Sequence, residues 1–183
     1  SKPYVTVFRT KSDMEKASKY FNSTYSYNFI NKELFNDTVS IGEKIRKHKI
    51  IYMGRFGKEK NLPKMIECAK QLKKQIPDFT LDMYGTGVLV DDIAKLIEEN
   101  DLSENVHLCG FCNDKNIFDN YSLLWLTSDF EGMSMTIIEA KAKGVPTIST
   151  NWGDGVFEVI HDKEDGFVEN TVEDIVNRTA ELM

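Results

Sequence analysis

Residues 129–146 read DFEGMSMTIIEAKAKGVP, and this stretch predicts a loop that runs directly into a helix. The apolar run Leu123–Leu126 precedes it and predicts a buried strand, while a glycine and a proline mark the end of the helix. Two carboxylates stand eight positions apart, Glu131 in the loop and Glu139 in the second turn of the helix. Because eight helical residues span about 12 Å, the two acids should contact different parts of one extended ligand.

The start of this helix is predicted to bind an anion. The N–H groups of Gly132, Met133 and Ser134 would lie at a helix N-terminus, where unsatisfied donors and the helix dipole favour a phosphate. The wide separation of Glu131 and Glu139 disfavours a double-displacement glycosidase, whose carboxyl groups lie about 5 Å apart. The alternative is that both acids are solvated surface groups, but the apolar neighbours of Glu139 argue against that alternative.

From residue 49 onward, apolar runs alternate with helical patterns, which predicts a doubly wound, mostly parallel α/β sheet with helices on both faces. Strands are predicted at residues 49–53, 79–84, 106–109, 123–127, 145–149 and 166–168. Besides the helix that follows residue 134, helices are predicted at residues 62–72, 88–100 and 171–182. For the first of these three, Asn61 is the predicted N-cap and Pro77 the predicted stop.

The candidate ligand-binding residues follow the predicted strand ends, where sheets of this kind bind their ligands. They lie in four loops: Gly54-Arg55, Gly85-Thr86-Gly87, Gly110-Phe111 and residues 128–134. The first loop also carries Lys58 and Lys60, and arginine and lysine side chains are suited to phosphate oxygens. The G-x-G pair by itself predicts only a turn. The loops should converge on one edge of the sheet.

These stretches resemble the retaining GT-B glycosyltransferases of the glycosyl transferases group 1, or family 4, type. Glu131 and Glu139 fill both positions of the Glu-x7-Glu motif of that family. Residues 50–62 are similar to its strand, Gly-Arg loop and lysine segment, and residues 144–150 and 158–168 resemble its closing blocks. Four blocks in the right order make the resemblance more specific than any single motif.

The resemblance implies one half of a GT-B fold. Residues 46–183 would form the Rossmann-like nucleotide-sugar-binding domain, and residues 1–45 the tail of the N-terminal domain and the linker. Within that tail, residues 4–8 suggest a strand, residues 11–21 a helix, and residues 28–35 stand where the family has its linker motif. We therefore expect an excised C-terminal domain that lacks the acceptor half and is inactive alone.

The resemblance also assigns roles to residues. Arg55 and Lys60 would neutralise the donor diphosphate, Glu131 would contact the sugar during catalysis, and Glu139 would bind the ribose. An ionised carboxylate can indeed bridge two vicinal hydroxyls, since both of them donate. The other predicted donor contacts are Gly54, Gly85, Gly87, Phe111, Cys112, Gly132, Met133, Ser134 and Met135.

The implied function is hexosyl transfer from a UDP-, GDP- or ADP-sugar to a saccharide or lipid-linked acceptor, as in the synthesis of a cell-surface polysaccharide or glycolipid precursor. No Asp-x-Asp motif is present, so we expect no metal or other cofactor to be required. The sugar, the base and the acceptor stay open.

Composition narrows the class of protein. The 183 residues carry a net charge of −6, which argues against a nucleic-acid partner. No stretch predicts a membrane helix or a signal peptide, so we expect a cytoplasmic protein, with room for peripheral membrane association of the full protein. The three cysteines, Cys68, Cys109 and Cys112, include a single C-x-x-C without further zinc ligands, which favours reduced structural cysteines.

Two other classes of function fit less well. A non-catalytic doubly wound nucleotide-binding or signalling module would be expected to end its first strand in an acidic cluster, but Met53, Gly54 and Arg55 stand there. A dinucleotide oxidoreductase would need a third glycine after Gly87 and an acid about twenty residues further on.

Overall fold

The computed structural model describes residues 5–20, 22–27, 48–114 and 116–183. The strands are β1 (Thr6–Phe8), β2 (Ser23–Tyr25), β3 (Lys49–Met53), β4 (Thr80–Tyr84), β5 (Val106–Gly110), β6 (Leu123–Leu126), β7 (Thr147–Ser149) and β8 (Gly166–Val168). The α-helices are α1 (Lys11–Ala17), α2 (Leu62–Leu72), α3 (Val90–Glu99), α4 (Met135–Ala142) and α5 (Val172–Leu182).

Six strands form one parallel sheet in the order β5-β4-β3-β6-β7-β8. The first strand of this sheet along the chain is β3; β4 and β5 add to one side of it, and β6, β7 and β8 then add to the other side. The predicted doubly wound α/β fold is confirmed. Its topological switch point lies between β3 and β6, where open sheets of this kind bind their ligands outside the strand ends.

The core follows from the apolar pattern of the chain. All four residues of β6 are buried, as expected for a central strand covered on both faces. Trp125 of this strand donates its indole N–H to Thr179 of α5 at 2.9 Å, which satisfies the polar atoms of both buried side chains. Helix α2 buries one face, made of Leu62, Met65, Ile66, Cys68, Ala69 and Leu72. Among the described residues, no helix is both long and apolar enough to cross a membrane.

Several predicted boundaries move for local reasons. Thr127 lies outside β6, which ends at Leu126, and its hydroxyl group donates to the carbonyl oxygens of Lys60 and Asn61. Asn61 is the N-cap residue of α2, as predicted, but it adopts a left-handed conformation with φ 46° and its side chain makes no capping hydrogen bond, donating to Asp129 instead. The same helix ends at Leu72, the last residue of the predicted range, and the chain turns at residues 73–75, so Pro77 lies beyond the helix and does not stop it.

The N-terminal segment forms a separate two-stranded parallel sheet, β1 and β2, with α1 between them. Glu158 anchors this segment, because its carboxylate accepts the N–H groups of Lys11 and Ser12 at 2.9 Å each. The hydroxyl group of Tyr27 donates to the same carboxylate at 2.8 Å. Helix α1 ends earlier than predicted. Residues 4 and 21, the predicted linker at residues 28–35 and the predicted domain boundary at residues 45/46 lie outside the described residues.

Candidate functional site

A cavity of about 440 Å³ opens at the carboxyl ends of β3, β4 and β5. It brings together three of the four loops that the sequence placed at this edge, and it is lined by Met53, Gly54, Arg55, Tyr84, Gly85, Thr86, Gly87, Phe111 and Cys112. Phe111 is 77% exposed, so its ring offers a free apolar face at the rim. The cavity is large enough for a small organic ligand and mixes apolar walls with backbone groups.

Glycine at position 85 is required by the close approach of two loops. Gly85 has φ +141°, and a Cβ atom there would lie 1.9 Å from the carbonyl oxygen of Gly54. Hydrogen bonds hold the two loops at this distance, from Gly54 N to the Tyr84 carbonyl (3.0 Å) and from Phe56 N to the Thr86 carbonyl (2.9 Å). The G-x-G pair is therefore more than a turn, because it lets one cavity wall approach the other.

Two predicted cations lie in the loop after β3 but in different surroundings. Arg55 lines the cavity with its side chain 73% exposed, and it donates to Glu59 at 2.6 Å. The pKa of Glu59 is lowered, first by its own backbone N–H and then by this guanidinium group. Lys60 is instead nearly buried, at 15% side-chain exposure, so it is the more constrained of the two.

Lys60 forms an ion pair across the topological switch point. Its Nζ lies 2.6 Å from Oε1 of Glu131, whose side chain is only 11% exposed. Ser128 donates to the same carboxylate oxygen at 2.8 Å. Because Lys60 follows β3 and Glu131 follows β6, two predicted site residues that lie 71 positions apart in the sequence are in direct contact.

Four further hydrogen bonds hold the loop after β6 against the loop after β3. Asn61 donates to Asp129 at 2.8 Å, and the N–H of Asp129 donates to the carbonyl of Glu59 at 2.9 Å. The Thr127 hydroxyl completes the contact through its bonds to the carbonyls of Lys60 and Asn61. The cationic loop and the acidic loop are therefore one connected unit.

Helix α4 begins where the sequence predicted, with Ser134 as the N-cap residue. The Ser134 side chain makes no capping hydrogen bond, so the backbone N–H groups of the first turn have no side-chain acceptor from it. Thr136 fixes this end of the helix beside the cavity, because its hydroxyl donates to the carbonyl of Met53 at 3.2 Å. The N-terminus of α4 thus lies next to the carboxyl end of β3.

Glu139 is half-buried in the second turn of α4. Burial raises the pKa of its carboxyl group, and no hydrogen bond or ion pair joins it to any of the described residues. An unpaired, partly desolvated carboxylate is costly to the free protein and is a strong acceptor for ligand hydroxyl groups.

Most of the predicted site residues fall into three groups in the structure, and two lie outside them. Six of them line the cavity: Gly54, Arg55, Gly85, Gly87, Phe111 and Cys112. Lys60 and Glu131 form the ion pair, and Ser134, Met135 and Glu139 belong to the start of α4 or its second turn. Gly132 is exposed, and Met133 lines a different cavity of about 220 Å³ together with Tyr27 and Glu158. Roles in catalysis and binding stay predictions for all of them.

A polar cluster that the sequence did not predict lies at the cavity and consists of Tyr84, Asp82 and Tyr121. The signal was present in β4, where buried Leu81 and Met83 alternate with partly exposed residues, so Asp82 and Tyr84 share one face. Within the described part of the chain, no three His, Cys, Asp or Glu residues are grouped to hold a metal ion. The expectation that no metal is needed stays a prediction.

Comparison with known proteins gives three findings. The model of a family described as "Glycosyl transferases group 1" matches residues 36–183. The chain is 30% identical over 125 residues to poly(glycerol-phosphate) alpha-glucosyltransferase of Bacillus subtilis, covering 67% of this chain and 18% of that relative. It is also 30% identical over 131 residues to the GtfA subunit of the UDP-N-acetylglucosamine–peptide N-acetylglucosaminyltransferase of Streptococcus gordonii, covering 69% of this chain and 26% of that relative.

Among solved structures, the fold is similar to a mutant of S. aureus TarM crystallised with fondaparinux, alpha-GlcNAc-glycerol and UDP. The TM-score is 0.87 at 22% identity, and the match covers 96% of this chain and 36% of that chain. The chain therefore spans far less than two thirds of the length of each of these proteins.

Proposed function

Since this chain belongs to the glycosyl transferases group 1 family, we propose that it forms the donor-binding half of a retaining hexosyltransferase. The donor is a nucleotide diphosphate sugar. The observation that carries this proposal is the buried Lys60–Glu131 pair at the switch point, beside the cavity that Arg55 lines. In that position the ammonium group of Lys60 would contact the diphosphate, and the carboxylate of Glu131 would contact the sugar.

The donor has a natural path along this edge of the sheet. The nucleobase enters the cavity next to Phe111 and the backbone of residues 85–87, where apolar walls and peptide groups suit an aromatic ring. The diphosphate lies beside Arg55, Lys60 and the N-terminus of α4, which together oppose its charge without requiring a metal ion. Glu139 accepts the two ribose hydroxyl groups, which restores partners to its half-buried carboxylate.

Lys60 has a double role in this proposal. In the free protein it neutralises Glu131; with donor bound it contacts the diphosphate and leaves Glu131 to face the sugar ring. Transfer then breaks the bond between the anomeric carbon and the diphosphate oxygen and forms a bond to the acceptor oxygen on the same face. The acceptor proton passes to the leaving diphosphate, and Glu131 stabilises positive charge that develops on the sugar.

The acceptor is proposed to be a cell-surface polymer or its lipid-linked precursor, bound by protein outside this domain. The Bacillus subtilis relative is named for a glycerol-phosphate polymer, whereas the Streptococcus gordonii relative is named for a peptide. A UDP-sugar comes first among the candidate donors, because the latter relative is named for UDP-N-acetylglucosamine and TarM was crystallised with UDP. We expect this chain alone to bind donor but to transfer no sugar, and we place the full protein in the cytoplasm.

Thermal unfolding in the presence of nucleotides tests the proposal. UDP, GDP, ADP and their sugars are each added with Mg²⁺ or with EDTA, and a ligand at 100 times its Kd should add about 2.7 kcal/mol. For a chain of this size that corresponds to roughly 5–11 °C in the unfolding midpoint. The shift should persist in EDTA.

Two variants make the experiment specific to the site. Lys60→Ala should lose most of the shift, whereas Lys58→Ala, an exposed lysine in the same loop, should keep it. An absence of any shift with all three nucleotides, or equal shifts for wild type and Lys60→Ala, would contradict the proposed function.

A further inference from the structure

A chain of hydrogen bonds lies behind one wall of the cavity. The hydroxyl oxygen of Tyr84, a lining residue, lies 3.1 Å from the hydroxyl oxygen of Tyr121. Tyr121 donates to Oδ2 of Asp82 at 2.7 Å, and Nδ1 of His107 lies 2.8 Å from Oδ1 of the same carboxylate. Tyr121 is only 3% exposed, so the middle of the chain is shielded from water.

The direction of these hydrogen bonds is fixed at one end. A carboxylate only accepts, so the proton of Tyr121 is committed to Asp82 and the Nδ1 of His107 carries a proton. The oxygen of Tyr121 is then the acceptor in its contact with Tyr84, and the single hydroxyl proton of Tyr84 points to Tyr121. Tyr84 is left with lone pairs and no proton for any other partner.

The hydroxyl groups of Tyr84 and Tyr121 both stay protonated at neutral pH, as this series of hydrogen bonds requires. Burial, followed by the hydrogen bond to Asp82, raises the pKa of Tyr121 well above its ordinary value. Burial also raises the pKa of Tyr84. Cys109 also forms a side-chain hydrogen bond with Tyr84, but it supplies no proton to the Tyr84 oxygen. The thiol proton of Cys109 is directed at the carbonyl oxygen of His107, 3.6 Å away, so toward Tyr84 the sulfur can only accept.

We propose that Tyr84 is a specificity-determining residue, whose hydroxyl oxygen accepts a hydrogen bond from an N–H group of the nucleobase, with Asp82 and Tyr121 fixing it as an acceptor. This inference rests on the proposed function, which places the base in the cavity beside Phe111. A base suits a wall of fixed polarity better than a sugar does. Sugar hydroxyl groups can rotate to donate or accept, whereas the N–H groups and acceptors of a base cannot exchange roles.

The consequence is discrimination between bases of opposite hydrogen-bonding pattern. UDP and CDP present reversed donors and acceptors on the pairing edge, and so do GDP and ADP. A base that turns an acceptor toward Tyr84 meets no proton and leaves both groups unsatisfied, which weakens binding by about 5- to 100-fold. Whichever pair the protein binds better, UDP and CDP or GDP and ADP, one member of that pair should therefore bind clearly more tightly than the other.

Calorimetric Kd values of the 183-residue chain test this for UDP, CDP, GDP, ADP and ribose 5-diphosphate, which lacks a base. Tyr84→Phe should weaken the preferred nucleotide about fivefold and leave ribose 5-diphosphate unchanged. Tyr121→Phe releases the proton of Tyr84, so the preferred nucleotide should stay within about twofold while the disfavoured member of its pair gains affinity. The two variants therefore differ in a way that general loss of packing would not produce.

A second variant guards against a misfolded Tyr121→Phe protein. In Asp82→Asn the new amide can donate to Tyr121, which reverses both hydroxyl groups and makes Tyr84 a donor, so the preference within the pair should fall or invert. Nucleotide binding with unchanged Kd values and an unchanged preference in Tyr84→Phe would overturn this inference and leave the proposed function standing. Failure of all five ligands to bind the wild-type chain would instead overturn the proposed function, and the inference with it.

Discussion

Replacing Glu131 with Gln should destabilise the ligand-free protein by about 3 kcal/mol. Lys60 and Glu131 are in contact at 2.6 Å with side chains only 15% and 11% exposed, so the change leaves a nearly buried ammonium group without its counter-ion. Breaking a buried pair costs about 3–5 kcal/mol, and the remaining exposure places this pair near the lower limit. The amide oxygen of the new glutamine can still accept the hydrogen bond from Ser128, so the loss of stability measures the effect of removing the negative charge.

Urea and thermal unfolding measure the effect. A loss of about 3 kcal/mol should lower the unfolding midpoint of a chain of this length by roughly 6–12 °C. The double variant Lys60→Met/Glu131→Gln removes the stranded cation as well, so it should be more stable than the sum of the single effects predicts, by about 2 kcal/mol. The same single variants, titrated with UDP, should differ: Lys60→Met loses affinity, whereas Glu131→Gln does not.

The Arg55–Glu59 pair provides a matched control, because its N–O distance is also 2.6 Å but Arg55 is 73% exposed. Water and salt screen such a pair, so Glu59→Gln should change the unfolding free energy very little. If Glu131→Gln cost no more than Glu59→Gln, or if the two single effects simply added in the double variant, the buried pair would not exist in solution. Lys60 and Glu131 would then not join the two loops at the switch point.

Three other substitutions test separate parts of the structure. Burial raises the pKa of Glu139, so ionisation of its carboxyl group destabilises the free protein as pH rises above the ordinary pKa of glutamate. Glu139→Gln should therefore raise the unfolding midpoint at pH 7 but weaken UDP binding about tenfold. A variant with unchanged UDP affinity would show that Glu139 is not part of the site. Gly85→Ala should lower the free energy of unfolding by more than about 2 kcal/mol, because the new Cβ atom would overlap a backbone oxygen. Gly110→Ala, at φ +71° with open space around it, should lower it by only about 1 kcal/mol. Equal urea midpoints for the two variants would refute the close approach at Gly85. Burial alone would raise the pKa of Glu158, but the N–H groups whose hydrogen bonds its carboxylate accepts hold the pKa below its ordinary value. The contribution of Glu158 to stability is therefore complete above about pH 4.3 and is lost as pH falls through the lowered pKa. Glu158→Gln should make the unfolding free energy less dependent on pH in that range, and identical acid-unfolding profiles of variant and wild type would count against Glu158 as the anchor of the N-terminal segment.

Local pattern in the sequence was sufficient for the elements of the main sheet. Apolar runs and helical periodicity reflect burial on one or both faces, so they placed β3 and α2 within a few residues of their observed bounds. The Glu-x7-Glu stretch likewise determined that Glu131 lies in a loop and Glu139 in the second turn of α4. Asn61 occupies the predicted N-cap position of α2, but its side chain does not cap the helix, because it donates to Asp129, 68 residues away.

Tertiary structure alone decided which of these side chains meet. Lys60 contacts Glu131 because β6 pairs with β3 on the side opposite β4, and strand order depends on the packing of the whole sheet. The acceptor polarity of Tyr84 likewise depends on Asp82 and on Tyr121, 39 residues away from that acid. Spacing along the chain records which face a residue occupies, but a contact between distant residues exists only once the sheet has been assembled.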